Sequence, residues 1–576
     1  MDRRLRPVER LDFTFLFKPN PAWFGDLAHD PSELFMFKSE PAGFTEGRMR
    51  PRKAYEWLLS HSREIACLES MRSLLIWDQR VCMPAGGHSH RAVQFGALAE
   101  LLSARTTDPK IGEMLERVEE SRLVEDRLCP EAVNVREWRR SFDRAVKVPR
   151  TLAVELARAA AEGELAWEVF RPRNDWKSFM PYLKRIVELK RNEASLLDSG
   201  NEFYDALLND YEPGETAENI EPLFGVLKEA LLRILHCIEN SNVTPDRERF
   251  PRHYPEPAQE ALAREAVRLT GYDFNCGRMD PAAHPFTATM GPGDVRITTR
   301  YDTSCFGMAF FSALHETGHG LYDQGLDSGH WGTPMGRAAS MGIHESQALT
   351  WENWVGRSLG FWEFFYPRAC RFFPHLAESS LESFHLMVND VRRSLIRTEA
   401  DEVTYNLHVM LRFELELALI RYAVEVRDLP ELWEHKTREY LGLSVPDHSR
   451  GLMQDIHWAE GSIGYFPVYV LGNLYAAQLF ARAEDELGDL DASFSRGEFA
   501  PFIDWLRSNV HLHGSRYRPR ELLKAVTGED LNPKYFIAYL VRKYGALYGF
   551  DMSSVRAARR PEKLCKTDSP APACTK

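Results

Sequence analysis

The sequence predicts a mainly α-helical protein with one small β-element. Two observations carry that prediction. From "KAYEWLLSHSREIACLESMRSLLIWDQR" (53–80) to "LVRKYGALYGF" (540–550), apolar residues recur at three- and four-residue spacing, the mark of amphipathic helices. One stretch departs from that period: "GDVRITTRY" (293–301) follows a Gly-Pro-Gly turn and alternates Val295, Ile297 and Thr299 against polar neighbours, which reads as a strand. An edge there can pair with an extended peptide.

The helices are punctuated by Pro and Gly, as in "MPAGG" (83–87), "YEPGE" (211–215) and "MGPGD" (290–294). A chain of 576 residues, 44% of them hydrophobic, can bury a large core, and length alone suggests about four domains. There is no internal repeat and no low-complexity block; residues 51–550 are read as a single domain. Residues 1–50 are rich in Pro, Phe and Arg without a helical period and read as an appendage, partly disordered, with Met49 as a second candidate start. Residues 551–576, including "DSPAPACTK", read as a disordered tail.

The net charge of −12 argues against nucleic-acid and anionic-membrane partners, which favour a basic surface. No run approaches the ~20 apolar residues of a membrane helix. The N-terminal "MDRRLRPVERLDFTFLF" has too short an apolar core for a signal peptide and too many acids for a transit peptide. Nine cysteines, an odd number without a C-x-x-C pair, fit a reducing cytoplasm, with the thiols packed as small hydrophobes.

"HETGH" (315–319) raises the question of chemistry. On a helix, positions i and i+4 share a face, so His315 and His319 can grip one divalent cation. Glu316 is then placed to act as general base toward the attacking water. H-E-x-x-H arises by chance in roughly one such chain in twenty, so the pattern needs support. The preceding "GMAFFSAL" (307–314) gives some: it is too apolar for an exposed helix, and two unpaired imidazoles in that setting are costly. Asp302, Thr303 or Ser304 is expected to cap the helix and Gly325 to end it.

A third ligand has to come from elsewhere. "MGIHESQALTWEN" (341–353) offers His344 and Glu345, and Glu345 completes a two-His, one-Glu set. The competing reading makes Glu345 a first-turn acid favoured by the helix dipole. Thermolysin-type enzymes carry an Asp four residues after the metal Glu; that position is Leu349 here, so Asp302 or Asp455 is expected to orient an imidazole instead. In "IRTEADEVTYNLH" (396–408), a continuous helix places Arg397, Asp401, Tyr405 and His408 within roughly 80° of one another. Either Arg397 pairs with Asp401 in a structural network, or its guanidinium faces a substrate carboxylate. In "GLMQDIHWAEGSIGYFP" (451–467), His457 and Tyr465 are donors suited to an oxyanion, with satisfied core residues as the alternative.

Together with "WDQRVCMP" (77–84), "YDALLNDYEPG" (204–214), "HPF" (284–286), "DVRITTRY" (294–301), "HESQ" (344–347) and "IGYFPVYVLGNLYAAQLF" (463–480), these motifs give residues 53–550 a clear likeness. The sequence resembles the carboxypeptidase Taq family of zinc metallocarboxypeptidases. The resemblance implies a two-lobed helical fold around a long substrate groove, with a small antiparallel β-sheet beside the metal helix. It implies Zn2+, with Co2+ as an alternative, on His315, His319 and Glu345, with Glu316 as catalytic base and His457 and Tyr465 assisting. It further implies substrate-binding roles for Arg296, Arg397, Asp401, Tyr405 and His408, a homodimer, and removal of single residues from peptides with a free C-terminus. Two other functions compete. An endo- or oligopeptidase has no need of the Arg397 anchor, and a non-catalytic metal-stabilised scaffold has no use for Glu316.

Overall fold

Pro51 opens the first regular element. Its missing N–H costs nothing at the first helical position, and the preceding Arg50 is extended (φ −66°, ψ 142°), so the chain enters a long helix, Pro51–Val81. The computed structural model describes residues 50–557, apart from 198, 199, 201, 248, 249 and 251. The appendage predicted over 1–50 lies outside the described residues except for Arg50, as does the predicted tail from residue 558 on. Residues 552–557 are described, and there the expectation of a tail beginning at 551 is not met. They form a short helix, Met552–Ala557, which buries Val555 in the core.

The three- and four-residue apolar spacing is realised as a succession of helices around one large hydrophobic core, which gathers side chains from Ala166 to Val555. A smaller cluster sits under the first helix, where Ala54, Tyr55 and Leu58 meet Ile111, Met114 and Leu115. No helix among the described residues is long and apolar enough to cross a membrane. The described cysteines are free thiols: Cys237 and Cys370 pack, partly buried, against the core as expected, whereas Cys82 and Cys305 are exposed.

The sheet has three strands: β1 (Gly277–Pro281), β2 (Thr287–Gly291) and β3 (Asp294–Thr299), in the order β1-β3-β2. The predicted strand is β3. It forms a hairpin with β2 across a turn in which Gly293 takes a positive φ of 79°. The sheet is mixed rather than purely antiparallel, because β1 pairs with β3 in parallel. Parallel neighbours require a long connection, and residues 282–293, which contain β2, supply it.

Register decides what each face of the sheet touches. Thr287 lies opposite Ile297 and Thr289 opposite Val295, whereas Ala288 lies opposite Arg296. Because side chains alternate, Thr287 and Thr289 share one face and Ala288 and Arg296 the other. The second face receives Trp77 from the first helix, packed with Ala288 and Met290. The first face receives the helix Phe306–Gly325, which carries "HETGH".

That helix meets a second, Met341–Leu349, whose N-terminus is held by Ser340 accepting from the Ile343 amide at 3.0 Å. Gly318 explains how closely the two approach: a Cβ there would lie 2.5 Å from the Ala348 Cα. A third helix, Pro467–Leu487, closes on the second, where a Cβ on Gly472 would lie 2.8 Å from the Glu345 Cγ. Two glycines thus allow three helix backbones to converge on Glu345.

Candidate active site

His315, Glu316 and His319 sit in the middle of the Phe306–Gly325 helix, and Glu345 sits on the Met341–Leu349 helix that crosses it at Gly318. The two imidazole rings are 5.0 Å apart and nearly perpendicular. His315 Nε2 is 3.9 Å from Glu345 Oε1, and His319 Nε2 is 3.7 Å from Glu345 Oε2. These separations are too long for hydrogen bonds. They are close to the spacing of ligand atoms around one tetrahedral cation, roughly 3.4 Å for bonds of 2.0–2.1 Å. Among the described residues this is the group of three that could hold a metal ion, all donor atoms lying within 4.8 Å of one another. The donor set therefore fits a divalent metal.

The electrostatics point the same way. Burial works against a charge on His315, yet its bond to Glu352 and the carboxylates of Glu345 and Glu316 outweigh burial and push the imidazole up to about 10. Burial, with the neighbouring His344 and His315, pushes His319 well below the usual range. Burial raises both Glu316 and Glu345. Glu316, Glu345 and Glu352 surround the two imidazoles, with Arg357 paired to Glu352, and this acidic, partly buried setting suits a cation.

Glu316, 6% exposed, is not a member of the donor set. It is held from the sheet: Thr287 Oγ1 donates to Glu316 Oε2 at 2.7 Å. Two residues along β2, Thr289 donates to Asp323, which lies four residues beyond His319 on the same helix. Asp323 Oδ1 is 3.0 Å from His344 Nε2, and the His344 ring stacks on His319 at 4.5 Å. His344, the neighbour of Glu345 in its motif, is thus engaged with Asp323 and belongs to the packing around His319.

Beside the donor set lies a buried cluster built on Asp455. Its Oδ1 accepts from Arg397 Nε at 3.0 Å and lies 2.9 Å from Arg397 Nη2 as an ion pair, and its Oδ2 accepts from Arg412 Nε at 2.6 Å. Arg397 Nη1 also donates to the Tyr405 hydroxyl at 3.0 Å. Burial alone would raise the Asp455 carboxyl, but the two guanidinium groups hold it well below the usual carboxylate range. Two fixed cations on one anion leave the cluster with a net positive charge. Arg397 is felt electrostatically at Glu345, so this charge stands within reach of the donor set.

The expected continuous helix over 396–408 is corrected by this arrangement. Arg397 lies in a short 3-10 turn, Arg397–Glu399, and the helix runs only over Thr404–Ile420. Asp401 causes the break: its carboxylate collects the backbone amides of Val403 and Thr404 at 3.0 Å and of Arg392 at 3.1 Å. Asp401 is therefore not the ion-pair partner of Arg397, and Asp455 takes that place. His408 Nε2 bonds to the Ser394 carbonyl at 3.1 Å, and burial pushes the imidazole down to about 3.

Other expected residues fall as follows. His457 Nε2 is 3.1 Å from the Tyr469 hydroxyl, while its Nδ1 has no hydrogen-bond partner among the described residues. Burial, reinforced by Arg397, pushes this imidazole down to about 4, so it is neutral at neutral pH. Tyr465 packs edge-on against Tyr469 at 5.3 Å and against Tyr211 at 5.0 Å. Arg296 is on the sheet face away from the "HETGH" helix, paired with Asp294 at 2.8 Å and stacked on Trp77 at 4.3 Å. Neither expected orienting acid touches an imidazole of the donor set. Asp302 bonds to the Ser304 amide at 2.8 Å in the turn before the helix, where Cys305 stands at the N-cap without a side-chain bond. Thr287, Glu352, Asp323, Arg412 and Tyr469 were not among the expected residues. Only Glu352 has a readable signal, standing seven residues after Glu345 and so near the same helical face.

A half-buried two-His, one-Glu donor set with a separately held carboxylate beside it is the equipment of a metallopeptidase. Comparison with known proteins narrows the class. The profile of the carboxypeptidase Taq (M32) metallopeptidases matches residues 57–544. Thermostable carboxypeptidase 1 of Thermus thermophilus is 54% identical over 510 residues, which span 87% of this chain and 100% of that protein. Carboxypeptidase 1 of Bacillus subtilis is 38% identical over 481 residues, 83% of this chain and 95% of that protein. The crystal structure of an M32 carboxypeptidase from Deinococcus radiodurans superposes with a TM-score of 0.83 at 38% identity, covering 86% of this chain and 100% of that one. The chain belongs to the carboxypeptidase Taq (M32) family of metallopeptidases, and it is a metal-dependent carboxypeptidase.

Proposed function

We propose that this enzyme holds one zinc ion on His315, His319 and Glu345, with cobalt as a substitute, and removes single residues from peptides with a free C-terminus through Glu316 as general base. Bound there, the ion supplies Lewis-acid polarisation of the scissile carbonyl and activation of the attacking water. Glu316 accepts the proton from that water and returns it to the leaving amine nitrogen, held in place by Thr287. Neutral His457 and the Tyr465 phenol are N–H and O–H donors suited to the developing oxyanion.

The observation that carries exopeptidase action is the net positive Arg397–Asp455–Arg412 cluster beside the donor set. A guanidinium has five N–H donors, and Arg397 commits two of its own, one to Asp455 and one to Tyr405. A peptide carboxylate supplies the missing negative charge and sets the scissile bond one residue upstream. Mass spectrometry of a mixed peptide pool after incubation with the metal-loaded enzyme tests this. Stepwise loss of C-terminal residues, independent of N-terminal blocking, is expected; mid-chain fragments would return the assignment to an oligopeptidase.

We further propose a cytoplasmic homodimer with a single catalytic domain over 51–550. The free thiols and the absence of a C-x-x-C pair support the compartment, and the family resemblance supports the dimer. A solution mass near twice 66.2 kDa is expected. Deleting residues 1–48 is expected to leave folding and turnover intact, since the helical body begins at Pro51.

A further inference from the structure

Glu352 stands where the Met341–Leu349 helix widens into a π-helical turn, Thr350–Val355. Such turns are rare and concentrate at functional sites. Its Oε2 is 3.0 Å from His315 Nδ1, on the side of the ring opposite the Nε2 that faces Glu345. Its other oxygen, Oε1, accepts from Arg357 Nη2 at 3.3 Å. Arg357 is itself fixed: it donates to the Val388 carbonyl at 2.6 Å and lies over the Phe311 ring at 3.9 Å, one turn before His315 on the "HETGH" helix. The imidazole of His315 is therefore clasped between two glutamates of one chain segment, and the outer one is braced on both oxygens.

We propose that Glu352 is the positioning residue for His315: it keeps the proton on Nδ1 and presents the Nε2 lone pair to the metal. An ionised carboxylate only accepts hydrogen bonds, so the nitrogen facing it must be the donor and the other must carry the free pair. The bond also fixes the ring plane, and Arg357 fixes the carboxylate in turn. This is the chain that Asp302 or Asp455 was expected to provide, built instead from an acid two helical turns beyond the ligand Glu345. Among the described residues no carboxylate makes an equivalent bond to His319, whose ring is steadied by stacking on His344. The two ligand histidines are thus oriented by different means, and a defect at Glu352 falls on His315 alone.

The inference rests on the reading that His315, His319 and Glu345 hold the metal, and the experiment separates the two. Cobalt(II)-loaded parent, Glu352→Gln, Glu352→Asp and Glu345→Ala are compared for retention of cobalt against a competing chelator, for the visible absorption of the bound ion, and for melting temperature. Glu352→Gln, isosteric but with a neutral side chain, is expected to hold cobalt 10- to 100-fold more weakly, with an altered spectrum and a melting transition that remains cooperative. Glu352→Asp keeps the charge but draws it back by one methylene, and is expected to lose several-fold in retention. Retention by Glu352→Gln within two-fold of the parent, with an unchanged spectrum, overturns the proposal. If Glu352→Gln does not fold, Glu352→Asp decides on the same readouts, and parity with the parent overturns it. If Glu345→Ala retains cobalt like the parent, the ligand reading itself fails.

Discussion

Thr287 Oγ1 donates to Glu316 Oε2 at 2.7 Å, so a strand residue fixes the carboxylate that stands beside the donor set. The bond opposes burial, which raises the Glu316 carboxyl, and favours its ionised, proton-accepting form. Two residues further along β2, Thr289 does the same for Asp323, and Asp323 holds the His344 ring that stacks on His319. The pleat of one short strand thereby positions both Glu316, the proposed base, and the packing partner of His319, a proposed ligand.

Removing the hydroxyl without changing shape isolates that role. Thr287→Val is expected to lower kcat by about 10- to 100-fold, the cost of a lost hydrogen bond to a charged group, with KM and metal content close to the parent. Thr287→Ser is expected to restore most of the activity. Steady-state kinetics with metal analysis on both variants checks this; an unchanged kcat in Thr287→Val removes Thr287 from the mechanism.

The donor set and the base are separable by metal analysis. His315→Ala, His319→Ala and Glu345→Ala each remove one of the three proposed ligands and are expected to leave little bound metal after dialysis. Glu316→Gln keeps the ligands and is expected to bind metal at parent stoichiometry while losing nearly all turnover. Full activity in Glu316→Gln would disprove the assignment of the base.

How much of this was legible from the residues depends on how local each feature is. The helical body, strand β3 and the helix ending at Gly325 follow from short-range periodicity and punctuation, and all three are in the structure. The i, i+4 spacing of His315 and His319 is local too, and Glu345 was marked by its motif. The Arg397–Asp401 pair failed because sequence spacing presumed a continuous helix, while Asp401 preferred the backbone amides and ended it. Asp455, the true partner, is 58 residues away in the chain, and no periodicity links the two. Thr287 is equally silent, since its meaning comes from register with β3 and from the helix packed on that face. The mixed sheet was missed because β1 is short and carries no alternation to read.

The buried carboxyl of Glu212 gives a pH dependence to stability. Its Oε2 accepts from the Gly342 amide at 3.0 Å and its Oε1 from the Tyr475 hydroxyl at 2.8 Å, tying the Glu345 helix to the Pro467–Leu487 helix. Burial outweighs these bonds and pushes the group up from 4.5 to about 7. A raised folded-state value means stability that is present below pH about 4.5 and is lost as pH rises through about 7, at most roughly 3 kcal/mol. Buried neutral histidines such as His408 and His457 act with the opposite sign below their ordinary range, so the difference between two proteins is the useful measurement. Thermal melts of parent and Glu212→Gln from pH 5 to 8.5 are expected to show the variant gaining a few degrees relative to the parent as pH rises. A constant difference across that range would show that Glu212 does not titrate there.

Terminal-carboxylate recognition is the claim that separates this enzyme from an oligopeptidase, and the Asp455 cluster makes it measurable. Arg397 and Arg412 share one carboxylate, so the site carries one uncompensated positive charge in surroundings where burial penalises it. A free peptide C-terminus compensates it; a C-terminal amide does not. Amidation is expected to lower kcat/KM on the parent by on the order of 2–4 kcal/mol, roughly 30- to 1,000-fold. Arg397→Ala is expected to lose a comparable amount on free acids and little more on amides, because both changes delete the same interaction. Arg397→Lys keeps the charge but not the fork that spans Asp455 and Tyr405, and is expected to recover only part. A shift in melting temperature common to both Arg397 variants would report the released Asp455 and leave the substrate comparison intact. If amidation and Arg397→Ala prove additive, the arginine supports the fold of the groove and some other group reads the carboxylate.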